Sequence, residues 1–297
     1  MSHIITYPFK PISNQQQNLH IIPISERIKK GGQSVINPHR TDFYIIQLIT
    51  KGKSSHMVDF QEVELSAGDI LFLTPGQVHA FRENATFEGW LIAFPKDFFN
   101  QSSHDIYFLD NAHIFNNYYP VTKLAFKNND LNVFIELIQK ILDELQKAHD
   151  LFQESILHNY LSNLLLFSER KFILENNPSI HKTILTQDGM YVTQFKKMVR
   201  KSFRTETKVK YYANELFISE RKLQKAVMAI LGKSPKELIN EQLILESKRL
   251  LIHESMSIKE VSYDLGFDEP SNFTKFFKNQ TGISPTQFKE EKMISSI

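Results

Sequence analysis

The chain has 297 residues, room for about two domains at roughly 100–200 residues each. With 41% apolar and 23% charged residues it is not a disordered chain, and the lack of cysteine excludes disulfides, thiolate metal sites and cysteine nucleophiles. The net charge of +2 is uneven: residues 190–297 carry 19 Lys and Arg against 13 Asp and Glu, whereas residues 1–189 carry 16 against 20. A basic last third suits contact with a polyanion, although a solvated surface gives the same balance.

The N-terminus lacks the charged start and apolar stretch of a secretory signal, and no run approaches the ~18 apolar residues of a membrane span. The expectation is therefore a cytoplasmic protein without a membrane partner. Residues 1–120 read as mostly β. Residues 43–49 form an apolar, β-branched strand, followed by a turn at Lys51-Gly52-Lys53. Alternation from Val58 to Leu65 predicts a second strand, Ala67-Gly68-Asp69 a turn, residues 70–73 a buried strand and Pro75-Gly76 another turn. His79 opens the next strand, and Trp90 to Phe94 is a further one. Helical spacing begins after Asn129, with Leu131, Phe134, Ile138, Ile141 and Leu145 on one face and Asp130 as N-cap. A second helix, residues 151–174, has apolar surface wide enough for two neighbours. Asn176 to Gly189 reads as the linker. From Met190 onward the chain reads as helical.

The last third contains a repeat. Tyr212-Ala213, Leu216 and Ile218 recur as Val261-Ser262, Leu265 and Phe267, an offset of 49; Leu223, Val227, Gly232 and Ser234-Pro235 recur as Phe273, Phe277, Gly282 and Ser284-Pro285, an offset of 50. Each copy has the pattern of a helix-turn-helix, about residues 208–230 and 257–280. Gly266 sits in the second turn, where positive φ is needed, and Phe217 takes that place in the first. Ser257 with Glu260, Ser234 with Glu237 and Ser284 with Gln287 form capping boxes, Ser219 caps one recognition helix and Asp268 the other, with Pro270 in its first turn. Residues 235–252 read as one linking helix of about 27 Å, near the ~34 Å between successive major grooves on one face of DNA.

These residues bring out a resemblance to the AraC/XylS family of bacterial transcription regulators. It rests on residues 258–278, with Gly266-Phe267, Ser271-Asn272-Phe273 and Phe276-Phe277-Lys278, and then on Thr281-Gly282, Pro285 and Phe288. The departures are Ser262 where alanine is usual and Lys289 where arginine usually closes the motif. The resemblance implies an all-α DNA-binding domain at 190–297, double-stranded DNA and RNA polymerase as partners, and a separate regulatory domain. The first part of a recognition helix meets base edges. That nominates Ser219, Glu220, Arg221, Lys222, Gln224 and Lys225 in the first copy, and Glu269, Pro270, Ser271, Asn272, Thr274, Lys275 and Lys278 in the second. Arg221 and Gln224 suit bidentate base contacts and Lys222 and Lys225 suit phosphates.

Residues 68–79, with Gly68, Pro75-Gly76 and His79, look like the second half-motif of a cupin. The resemblance implies an α+β chain: a small cupin-like β-barrel with packed helices at residues 1–175, then the helical domain. His39, Tyr44, His79 and Trp90 are the candidates for binding a small-molecule effector. The helices at 131–175 suit a homodimer interface. No His-x-His pair for the first half-motif is found, so the expectation is no metal, no cofactor, no catalytic residue and a non-enzymatic activator or repressor. The alternatives are a cupin-type metal enzyme with an accessory helical domain and a non-specific nucleic-acid binder.

Overall fold

A computed structural model describes residues 4–10, 18–82, 87–115, 122–176, 186–253 and 256–294. The chain divides into two units, Ile5–Asn176 and Asn177–Ile297. The α+β expectation holds: the first unit is rich in sheet and the second is helical. Among the described residues no helix is long and apolar enough to cross a membrane.

The first unit contains strands β1 (Thr6–Tyr7), β2 (His20–Pro23), β3 (Arg40–Thr41), β4 (Tyr44–Val58), β5 (Gln61–Ser66), β6 (Asp69–Leu73), β7 (His79–Phe81), β8 (Phe87–Phe94) and β9 (Lys123–Ala125). Its helices are α1 (Ile24–Gly31), α2 (Gln33–Ile36), α3 (Lys96–Phe99), α4 (Ser103–Asn111), α5 (Asn128–Leu145) and α6 (Gln153–Asn176). Strands β2, β8, β4, β6 and β9 lie side by side in that order, and β5 and β7 also pair with β4.

Strand β4 organises this sheet. Its first half pairs antiparallel with β6 and β8, its second half with β5 and β7. The turn expected at Lys51-Gly52-Lys53 is absent: the strand runs through, with a register shift between Ile49 and Lys51 and Gly52 at φ 78°. A bulge uses the same glycine chemistry as a turn but keeps the chain going forward. The reversal comes instead at Asp59, with φ 52°, which divides the single strand expected over 58–65.

Alternation along β4 separates two cores. Tyr44, Ile46 and Leu48 pack with Phe72, Phe94, Phe134, Leu161 and Leu164, so this face lies under α5 and α6. Ile45 and Ile49 instead pack with Val58, Leu65, Leu71, Phe81 and Leu91. This second core draws on both halves of β4, so the sheet curls around it. Gly68 makes the close approach of β9 possible: at φ 92°, a Cβ there would overlap the Phe126 carbonyl oxygen.

Helix α5 starts at Asn128, capped by Lys127 without a side-chain bond, so Asp130 is not the N-cap. Its carboxylate lies in the first turn, where the helix dipole still favours it. Helix α6 starts at Gln153 rather than 151, because Asp150 Oδ1 accepts from the N–H groups of Phe152 and Gln153 at 2.8 and 2.9 Å. Leu151 and Phe152 stay outside the helix and exposed.

The second unit contains α7 (Gln187–Ser202), α8 (Val209–Glu215), α9 (Glu220–Leu231), α10 (Pro235–His253), α11 (Ile258–Asp264), α12 (Pro270–Thr281) and α13 (Pro285–Ile294). The expected linker at 176–189 ends earlier, since Thr186 caps α7 by accepting from Gly189 N–H; residues 177–185 lie outside the described residues. Helix α10 has 19 residues, about 28 Å at 1.5 Å each. It packs on α7 and α9 and also on α11, α12 and α13, so it is the shared spine of both repeats.

Candidate functional site

Hydrogen bonds in the two repeats follow one register. In the first turn Leu216, Phe217 and Ile218 N–H donate to the carbonyls of Tyr212, Asn214 and Ala213. In the second, Leu265, Gly266 and Phe267 N–H donate to those of Val261, Tyr263 and Ser262. Ala213 and Ser262 are fully buried where the helices cross, and Leu223, Val227, Phe273 and Phe277 fill the cores beneath. Both turns take positive φ, Phe217 at 55° and Gly266 at 79°. Gly232 and Gly282, at φ 66° and 84°, end the recognition helices.

The caps mostly match the sequence. Ser219 Oγ accepts from Lys222 N–H, and Ser257 with Glu260 forms a full capping box. Ser234 and Glu237 exchange both bonds, as do Ser284 and Gln287. Asp268 is the exception. Phe273 N–H donates to Glu269 as Leu223 N–H donates to Ser219, so Glu269 is the N-cap and makes no side-chain cap bond. The extra residue of the second copy enters between Phe267 and Glu269, which puts Asp268 one place too early. Pro270 at the first helical position has no N–H to satisfy.

The recognition helices turn equivalent positions outward. Ser219, Glu220, Arg221, Lys222, Gln224 and Lys225 are exposed, as are Glu269, Ser271, Asn272, Lys275 and Lys278; Pro270 and Thr274 are half-buried. Two nominated side chains are already engaged. Lys222 Nζ lies 2.6 Å from Asp188 Oδ1 in the first turn of α7, and Thr274 Oγ1 donates to the Pro270 carbonyl at 2.9 Å. Arg221, Gln224 and Lys225 share one exposed end of α9, a donor-rich surface suited to base edges and phosphates.

The four effector candidates do not converge. Tyr44 stacks on Phe94, 5.3 Å between ring centroids, and Trp90 packs on the same helix-covered core. His39 and His79 are on the other side, their rings 4.3 Å apart, with His39 Nδ1 2.9 Å from the Asn37 carbonyl. Composition and spacing missed His56, which completes this cluster: its Nε2 is 3.3 Å from His79 Nδ1, and its ring packs edge-on against Phe81. Strand alternation from Ser54 through His56 to Val58 would have found it, had β4 been followed past Gly52. Burial pushes His56 down to about 3 and holds His79 well below the ordinary imidazole range; His39 adds to both shifts, Arg82 to that of His56, and His56 and Arg27 to that of His79. Burial also lowers His39. Burial thus favours the neutral form of all three.

A neutral imidazole has one N–H and one bare nitrogen. His56 Nε2 and His79 Nδ1 use one of each on one another. His56 Nδ1 and His79 Nε2 are buried without a partner, so whichever tautomers are present, one donor and one acceptor remain open. Among the described residues no group of three or more His, Cys, Asp or Glu has the arrangement of a metal centre.

Residues 212–291 match the model of a helix-turn-helix domain, and residues 23–161 that of an AraC-like ligand binding domain. The chain belongs to the AraC family of transcription regulators. The regulator is 26% identical over 267 residues to the Msm operon regulatory protein of Streptococcus mutans, covering 90% of each chain. It is 22% identical over 255 residues to the lactose operon transcription activator of Staphylococcus xylosus, covering 85% of each. A structure of ToxT from Vibrio cholerae overlays with a TM-score of 0.40 at 17% identity, over 84% of this chain and 90% of that one. The regulator is thus a sequence-specific DNA-binding protein of transcription, and its relatives are regulators rather than enzymes.

Proposed function

We propose that this regulator reads a two-part DNA site through the N-terminal halves of α9 and α12, under control of an effector bound on the concave side of the sheet. The observation that carries the DNA reading is the common hydrogen-bond register of the two turns, which presents equivalent positions of both helices outward. Arg221 and Gln224 contact bases in one half-site and Ser271 and Asn272 in the other. Lys225, Lys275 and Lys278 lie on phosphates, with Lys222 joining them once it leaves Asp188. Ser219, Glu220, Glu269, Pro270 and Thr274 shape the helix entries.

His39, His56 and His79 form the effector site; Tyr44 and Trp90 belong to the opposite face. The open donor and acceptor suit hydroxyl groups, and the neutral imidazoles suit an uncharged ligand, so the effector class is a polyol or sugar. A relative named for the lactose operon fits that class. The effector shifts the regulator between arrangements by binding one of them more tightly. Leu166 and Leu174, exposed on α6, suit a homodimer contact. The working form is a cytoplasmic, non-enzymatic activator that meets RNA polymerase at the promoter, with its regulatory domain at 1–175 and its DNA-binding domain at 190–297.

Selection of fragmented genomic DNA on the purified protein at near-physiological salt, followed by sequencing, tests the reading. The expected result is a two-part motif with halves about 10 base pairs apart. Broad capture with steep salt dependence and no motif would overturn it in favour of non-specific binding. Calorimetric titration with mono- and disaccharides tests the effector class, and a His56→Phe variant should lose whatever binding the wild type shows.

A further inference from the structure

Two recognition helices read one DNA site only if their separation and relative twist are fixed. Helix α10 sets the separation, but it ends at His253 and α11 begins at Ile258. A single covalent joint leaves the roll of α11 and α12 about the end of α10 to non-covalent contacts. One residue outside both helix-turn-helix motifs makes such contacts to the spine and to the second copy at once. Arg204 lies in the turn after α7. Its Nη2 is 2.8 Å from Glu246 Oε1 on α10, and its Nη1 is 3.3 Å from Asp264 Oδ2 on α11. Its carbonyl oxygen is the atom a Cβ on Gly266 would overlap, so the second turn sits directly on the backbone of residue 204.

The parts of this clamp are themselves held. Glu246 is buried and also faces Arg249 Nη1 at 3.4 Å. The loop carrying Arg204 is pinned by buried Phe203 and by Tyr212 Oη, which donates to the Glu206 carbonyl at 2.6 Å. The contact therefore ties the loop between α7 and α8 to both the spine and the second motif. A guanidinium suits this position, because its planar fork can face two carboxylates at once.

We propose that Arg204 is a positioning residue that fixes the twist between the two recognition helices, and so sets the half-site spacing the regulator accepts. The proposal rests on reading α9 and α12 as the two recognition helices. Inserting or removing one base pair between half-sites moves one of them by about 3.4 Å and turns it by about 34°. A clamped pair of motifs cannot follow that change, whereas a pair free to roll about α10 follows part of it.

The test uses the full chain and the two-part operator selected by the wild type, with synthetic versions one base pair longer and shorter between halves. Wild type should lose about tenfold or more in affinity on either change. Arg204→Ala should lose only about two- to threefold, while its affinity for an isolated half-site stays at the wild-type value. Arg204→Lys should restore part of the penalty. Asp264→Asn, at a carboxylate about a third exposed, removes one arm and should fall between; it carries the test should Arg204→Ala not fold. Folded variants that keep the full wild-type spacing penalty would overturn the role of Arg204 and leave the DNA reading intact. A wild type that binds all spacings equally would remove both.

Discussion

The two helix-turn-helix copies share a hydrogen-bond register yet build their turns differently. In the second, Gly266 takes positive φ and sits directly against the backbone of Arg204. In the first, Phe217 takes the same conformation with its side chain 95% exposed. One turn touches the backbone of a neighbour and requires glycine for space as well as for conformation. The other faces solvent, so an aromatic side chain fits, and only the conformational cost remains. The outward faces differ as well: Arg221, Lys222 and Gln224 in the first copy stand where the second has Ser271, Asn272 and Thr274. The scaffold was repeated and its reading surface was not, so the two half-sites should differ in sequence.

The largest test of this contrast is Gly266→Ala. A Cβ there must displace the backbone of residue 204, and the left-handed conformation adds its own cost, so a loss of about 3 kcal/mol is expected in denaturant unfolding. Gly282→Ala is the control: its φ is similarly positive at 84° but the space is open, so only about 1 kcal/mol should be lost. Equal losses at the two glycines would mean the second turn is not seated as described. Next in size is the reading surface. Arg221→Ala should weaken specific binding by about 1–3 kcal/mol and relax preference at one base position in the first half-site, leaving the second half-site unchanged. Asn272→Ala should do the reverse. Binding selections on randomised operators check both, and one variant affecting both halves would count against separate readout. The smallest effect is Phe217→Gly, which relieves strain at no loss of packing and should stabilise by roughly 1 kcal/mol. Destabilisation in thermal melting would show that Phe217 has a partner.

The helical unit was largely legible in the sequence because its signals are local. Glycines, serines and prolines at fixed offsets mark helix ends, and the doubled pattern checks itself. Asp268 was misplaced only because the position of the inserted residue is decided by hydrogen bonding, which the pattern does not carry. The sheet unit was less legible. Lys51-Gly52-Lys53 has the composition of a turn, and only pairing with β8 across that point makes it a bulge. That one ambiguity hid the parity of β4, and with it the approach of His56 to His79. It also let Tyr44 and Trp90 pass for neighbours of His39, since strand membership without register cannot say which face a side chain takes.

The ion pair between Lys222 and Asp188 changes how the protein's charge should be counted at DNA. A lysine that neutralises a phosphate displaces a condensed cation, and each such event steepens the fall of affinity with salt by about 0.9 in the logarithmic slope. Lys222 arrives with a carboxylate 2.6 Å from its ammonium group. If the pair stays together at the interface, it adds no net charge and displaces nothing. The salt slope of the complex then counts one phosphate fewer than the number of basic side chains lying along the backbone.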